Sequence, residues 1–429
     1  MEVAQLLGQG PAARLIAEIA PAEVEVLHVG LEGELSSRRL PTPSVLAALR
    51  EDCLPPGEDP PGGGRSPAPL RLIPETARRL PDEMADTSRL LLVAEAADAE
   101  GPACPRALLR GIAGQARQAG FVARAAFGYD FHLFDGGGPG FEGGLLRLPG
   151  ALAQGRAWDV FRAALLRCCA ELGVTLQELE ALPGEGTVRA RLAMAEAADA
   201  ADQALLFRHA VRLLARRHGL AASFMAKLSD AVPGHGGPIR LALERPDGGF
   251  PFHDADAPDR MSLLFRRFVA GQVALMPDLL VMAAPTVNAY RRLLAGQGGA
   301  RHACWSADAG AAAALAVLPG PEPAVEYRVT ASDANPYLAL SAALGSGLWG
   351  IEKEAALGPA EGEPGGRAPH AVLAPTLWDA AHRIRISEAA HDLFGTAFVE
   401  AYAARAEREI MEYRRHVTDW EVMRYFDRV

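Results

Sequence analysis

Apolar and polar residues alternate through positions 22–32, where Val24 and Val26 interleave with Glu23 and Glu25 before Leu27 and Val29. A period of two predicts a strand there. Leu70–Ile73, Leu90–Ala94 and Ala123–Phe134 read as further strands. Alternation is clearest in Thr187–Met194: Val188, Ala190, Leu192 and Met194 fall on one face, Thr187, Arg189 and Arg191 on the other. Helical spacing marks Pro105–Ala119 before Gly120, Trp158–Leu172, Ala197–His218 before Gly219, and the apolar Met261–Met276. Asn335-Pro336 predicts another helix start, with Asn as cap and Pro in the first turn. Ser387–Arg415 predicts an amphipathic, charged helical region. Gly- and Pro-rich stretches at Leu54–Pro69, Gly136–Gly144 and Ala355–Pro369 predict loops. The order of elements predicts a small strand-rich unit, residues 1–98, followed by a larger mixed unit, residues 99–429. No internal repeat is visible.

Hydrophobic residues make up 49% of the 429, enough for an ordered globular core. The net charge of −10 argues against nucleic-acid or anionic-membrane partners, because phosphate binding needs a basic face. No apolar run approaches the ~18 residues of a membrane span, and the N-terminus has no signal-peptide pattern. Five scattered cysteines without a Cys-x-x-Cys spacing argue against structural zinc and a disulfide framework, and for a reduced, cytoplasmic protein. Gly345-Ser-Gly-Leu-Trp-Gly350 spells Gly-x-Gly-x-x-Gly, but it follows a helical segment, so it is not read as a dinucleotide site.

Several motifs, in order, carry a resemblance. Phe224-Met-Ala-Lys227, a short loop and Gly234-His-Gly-Gly-Pro-Ile-Arg240 resemble the Phe-Met-x-Lys-Pro and Gly-Ser-Gly-x-His-x-His signature of the glutamine synthetase family. Leu31–Pro41, Cys104-Pro-Arg106, Gly128-Tyr-Asp-Phe-His-Leu-Phe134, Pro285-Thr-Val-Asn-Ala-Tyr-Arg-Arg-Leu293, Glu326-Tyr-Arg328 and Asp333-Ala-Asn-Pro-Tyr-Leu338 are similar to other segments of that family. Arg415–Glu421 resembles the end of its polyamine-ligase-like branch. The resemblance implies an α+β fold: a β-grasp-like N-terminal domain, then a catalytic domain with a curved antiparallel sheet backed by helices. It also implies a homo-oligomeric ring, hexameric or dodecameric, in which one subunit's N-terminal domain completes its neighbour's site.

The family phosphorylates the γ-carboxyl of glutamate with ATP and lets an amine displace the phosphate, using Mg²⁺ or Mn²⁺ held by five carboxylates and one His. Such ions need hard oxygen ligands, and phosphoryl transfer is chiefly positioning and charge neutralisation. By position, Asp130, Glu180 and Glu326 correspond to three of those six ligands. Gly128, Thr187 and Pro238 occupy the other three positions, and neither Gly nor Pro offers a ligand atom in its side chain. Trp305–Ala316 lacks the arginines that the family places on phosphate, and the flap Glu falls near Gly298. The glutamate-side residues implied by the resemblance are Gly234, Arg292 and Arg328. Arg189 and Arg191 share a face with Thr187, and Arg240 replaces a nucleotide-side His. Fixed cations in place of metal ions would make an anion pocket that works without metal.

Three functions follow. The first is a degenerate homologue that binds a glutamate-like anion or a partner subunit, including hetero-assembly with an intact relative, and needs no cofactor. The second is an active ATP-dependent glutamate–amine ligase with Mg²⁺ or Mn²⁺ on Asp130, Glu180 and Glu326. The third is a metal-free enzyme acting on an acidic substrate. Each site residue also has a plainer reading: Asp130 and His132 as a local hydrogen-bonding pair rather than metal ligands, His235 as a solvated loop residue rather than a general base, Glu326 and Arg328 as a structural ion pair.

Overall fold

The computed structural model describes residues 10–428 except 32, 34, 56–68, 82–83, 85–87, 97–103, 137–139, 143–144, 148–154, 183–185, 231, 295–300, 309 and 362–370. The boundary expected near residue 98, most of the Leu54–Pro69 stretch and the flap position near Gly298 lie outside those residues.

Four strands, β1 (Glu23–Val29), β2 (Leu35–Pro41), β3 (Leu70–Arg79) and β4 (Ser88–Ala96), form a mixed sheet in the order β2-β1-β4-β3, with β1 parallel to β4. Its own small core joins Val24, Val26, Leu72, Leu90 and Leu92 to Ile16 of the helix Pro11–Ile19 and Val45 of the helix Thr42–Glu51.

The larger sheet is built from β5 (Val122–Asp135), β8 (Leu176–Ala181), β9 (Thr187–Leu192), β10 (Ala195–Glu196), β11 (Leu220–Ser223), β12 (Ile239–Glu244), β13 (Trp305–Ser306), β14 (Leu315–Leu318) and β15 (Ala324–Tyr327). Its order is β13-β14-β15-β12-β5-β9-β8, with β10 and β11 also on β5. All its pairings are antiparallel except β13 with β14. A separate hairpin, β6 (Gly140–Glu142) with β7 (Leu145–Arg147), puts a strand where the glycines of 136–144 predicted only loop.

Strand alternation divides β5 into two working faces. Phe127, Tyr129 and Phe131 are buried, and Tyr129 and Phe131 pack on Phe207 of the helix Ala197–Arg217, with Phe131 also stacked on Phe224 at 4.9 Å. Gly128, Asp130 and His132 face the other way. The helix Leu263–Ala283 runs past the predicted end at Met276 and through Pro277. Burial of Leu279–Ala283 outweighs the lost hydrogen bond, an instance of tertiary packing overriding local propensity. Asn335 caps the helix Pro336–Glu352 by accepting from the amides of Tyr337 and Leu338, as its position predicts.

Candidate functional site

The polar face of β5 and β9 opens on a cleft of about 370 Å³. Pairing register builds its charged wall. Arg189 sits opposite Asp130 on one side and Glu180 on the other; Arg191 sits opposite Gly128 and Glu178. The Arg189 guanidinium forks Asp130, with Nε donating to Oδ1 at 2.9 Å and Nη2 to Oδ2 at 3.3 Å. That hydrogen bonding raises the already high pKa of Arg189. Arg191 Nε lies 2.9 Å from Glu178 Oε2, and its Nη1 lies 3.7 Å from Glu326 Oε2. Arg328 Nε donates to Glu326 Oε1 at 2.8 Å, and its Nη1 to the Ala311 carbonyl at 2.9 Å. Bidentate guanidinium–carboxylate contacts are the strong, geometrically selective kind.

Arg189, Arg191, Arg328, Asp130, Glu326 and Gly234 therefore meet in one cleft. Three sequence-based candidates do not. Glu180 is exposed on β8 and lies off the cleft wall. Arg240 shares the sheet face, opposite Glu326 in register, but stands outside the wall and has no ion pair among the described residues. Arg292, expected to bind a carboxylate, is fully buried on the helix Val287–Leu294 and turns its Nη2 to the Val329 carbonyl. Burial lowers its pKa to about 10. It lies directly beneath Gly234, where a Cβ would come within 2.5 Å of Arg292 Cγ, so it supports the glycine loop rather than reaching the cleft.

The two positions without metal-ligand side chains fit one another. A Cβ on Gly128 would lie 3.0 Å from the Pro238 ring, and the Gly128 amide donates to the Pro238 carbonyl. A side chain at 128 would press on the Pro238 ring unless that ring gave way slightly. Among the described residues no group of three or more His, Cys, Asp or Glu is placed to hold a metal ion. With Asp130 and Glu326 committed to arginines, the residues present do not fit the family's divalent metals.

Both histidines depart from their plainer readings, a local pair with Asp130 and a solvated loop residue. His132 turns not to Asp130 but to His235, with the two Nδ1 atoms 3.4 Å apart. His235 is buried rather than solvated, because the loop folds down between Ala226 and Thr330: the His235 amide donates to the Ala226 carbonyl and the Gly237 amide to that of Thr330. Burial lowers the pKa of His132 to about 4 and that of His235 to about 3. Ser332 locks the same loop, its Oγ lying 2.9 Å from the Asp130 carbonyl oxygen and 2.5 Å from that of Gly236.

Two parts of the site were missed in the sequence. Glu178 carries the same period-two signal as Glu180 and, unlike it, reaches an arginine of the cleft. Gly310–Ala313, noted only for lacking arginine, lines the cleft beside Arg328, which donates to the Ala311 carbonyl; nothing local in a run of alanines reveals that placement.

Residues 102–425 match the glutamine synthetase catalytic domain. A type-1 glutamine synthetase of Dictyostelium discoideum is 31% identical over 261 residues, 59% of this chain but only half the length of that relative. A glutamate–isopropylamine ligase of Pseudomonas sp is 29% identical over 339 residues, covering 75% of this chain and 73% of the relative. The solved structure of apo GmaS superposes with a TM-score of 0.81 at 22% identity, covering 96% of this chain and 98% of the other, a likeness of fold. With that fold and most of its length in the domain, the chain belongs to the glutamine synthetase family.

Proposed function

We propose that this protein is a degenerate member of the family that binds a small carboxylate ligand without metal or nucleotide. The observation that carries this reading is the pairing of the cleft: guanidinium groups occupy the oxygens of Asp130 and Glu326 that metal ions would need. An arginine is permanently charged and cannot be exchanged for a metal ion without its carboxylate being released. Gly128 and Pro238 add no ligand atoms, and the wall at Gly310–Ala313 has no phosphate-binding side chain. As a proposal resting on family membership, the chain assembles as a ring, hexameric or dodecameric, alone or with an intact relative. Mass photometry of the purified protein tests that assembly.

A second reading, an active glutamate–amine ligase, is favoured by the relatives whose names describe such reactions. One assay separates the two: ADP release with Mg²⁺ or Mn²⁺, glutamate, and a panel of ammonia, alkylamines and polyamines. Turnover that requires both glutamate and an amine establishes the ligase. Absence of ADP from folded, assembled protein supports the binding protein. Metal-independent consumption of an acidic substrate would instead identify an enzyme of another kind.

A further inference from the structure

We infer that the cleft takes an amphipathic monocarboxylate, a carboxylate head on an alkyl or aryl body, in preference to glutamate or a polyanion. This rests on the reading of the cleft as a metal-free carboxylate site.

The cleft has two unlike walls. One is ionic, and its arginines Arg189, Arg191 and Arg328 all meet carboxylates already. The other described lining is Gly, Ala and Pro: Gly310, Ala311, Ala312 and Ala313, joined to the ionic part where the Ala311 carbonyl accepts from Arg328, together with Gly128 and Pro238. Tyr129, the remaining polar residue of the cleft among the described residues, buries its ring on the helix side against Phe207.

This partition sets what fits. A guanidinium has five N–H donors, so Arg189 and Arg191, two residues apart on β9, can each hold an inner carboxylate and still donate to one ligand carboxylate. Each of the three guanidiniums already meets a carboxylate, Asp130, Glu178 or Glu326, which leaves the wall little net positive charge to neutralise a triphosphate. Beyond the head, a ligand meets methyl groups and glycine backbone. The ammonium and second carboxylate of glutamate would lose water there and meet no charged side chain among the described residues, only backbone groups, which is costly. A hydrocarbon body loses water favourably, by enough to tighten binding about fourfold for each methylene buried.

The test is calorimetric titration of the full-length protein in EDTA with propionate, butyrate, hexanoate, octanoate and phenylacetate, against glutamate and ATP. The expected result is affinity rising about fourfold per methylene until the cleft is filled, with hexanoate tighter than glutamate and ATP not binding. Two variants locate the site: Arg191→Met should weaken every carboxylate, whereas Ala312→Asp, on an exposed residue, should abolish only the gain with chain length. Thermal unfolding of each variant confirms that it is folded. Glutamate binding as tightly as hexanoate would overturn the amphipathic ligand and leave the carboxylate site standing. Absence of binding by every carboxylate would overturn both. A chain-length gain that survives in Ala312→Asp would place the hydrocarbon elsewhere and overturn the assignment to this wall.

Discussion

Arg189 grips Asp130 through two hydrogen bonds across neighbouring strands, at 2.9 and 3.3 Å. On the proposed reading, the pair holds an internal cation where an exchangeable one would sit. Millimolar Mn²⁺ or Mg²⁺ should therefore leave the thermal unfolding temperature unchanged. The triple variant Arg189→Ala/Arg191→Ala/Arg328→Ala, which releases Asp130, Glu178 and Glu326 together, should acquire a Mn²⁺-dependent upward shift. A clear shift in the unmodified protein would mean that the arginines yield to metal.

A second ionic cluster is structural. Arg106 donates to both oxygens of Asp202 at 2.9 Å and to Glu95, and Tyr337 Oη donates to Asp202 at 2.7 Å. Glu95, on β4, is fully buried, so the cluster ties the smaller sheet to the helices Pro105–Gln118 and Ala197–Arg217. Arg106→Met leaves the buried Asp202 carboxylate without its counter-charge, while Glu95 keeps Arg71 and Arg110, and should cost about 3–5 kcal/mol in urea unfolding. Tyr337→Phe removes one hydrogen bond to a charged group and should cost about 1.5–3 kcal/mol.

The Gly345–Gly350 motif is a packing device. A Cβ on Gly347 would come within 2.2 Å of the Phe268 ring, and one on Gly350 within 2.2 Å of the Arg267 carbonyl. The helices Pro336–Glu352 and Leu263–Ala283 thus approach backbone to backbone. Gly350→Ala should destabilise by about 1–3 kcal/mol or more, since the obstructing atom is backbone and cannot rotate away. Calorimetric melting of that variant beside Gly358→Ala, at a site with open space, checks the claim.

The His132–His235 pair makes stability acid-sensitive. Burial lowers both pKa values, to about 4 and about 3, below the unfolded value of 6.5. As pH falls, the unfolded chain therefore takes up these protons first. Their effect is absent above about pH 6.5, and stability is lost from there down to about pH 4–3, by about 1.4 kcal/mol per pH unit for each histidine at most. Urea midpoints measured between pH 7 and 4 should fall less steeply in His235→Asn; an equal slope would remove the pair from the explanation.

Much of the local architecture was legible because it depends on local geometry. Alternation over Thr187–Leu192 put Arg189 and Arg191 on one face and Val188 and Ala190 on the other, and burial divides them in that way. Asn335-Pro336 announced a helix start because cap chemistry involves only adjacent residues. The run through Pro277 escaped local rules, since its stabilisation comes from a helix some sixty residues further along the chain.

The sequence by itself determined the family, the mixed α+β class, and the absence of a polar side chain at Gly128 and Pro238, because these depend on residue identity and short-range periodicity. Only the tertiary structure decided what each charged group meets. Arg189 takes Asp130 from a strand 59 residues away, Arg292 is swallowed beneath Gly234, His132 finds His235 rather than Asp130, and a row of alanines becomes the wall of the cleft. The alternation of a strand fixes which way a side chain points; its partner is set by the register of distant segments, which no short window of sequence contains.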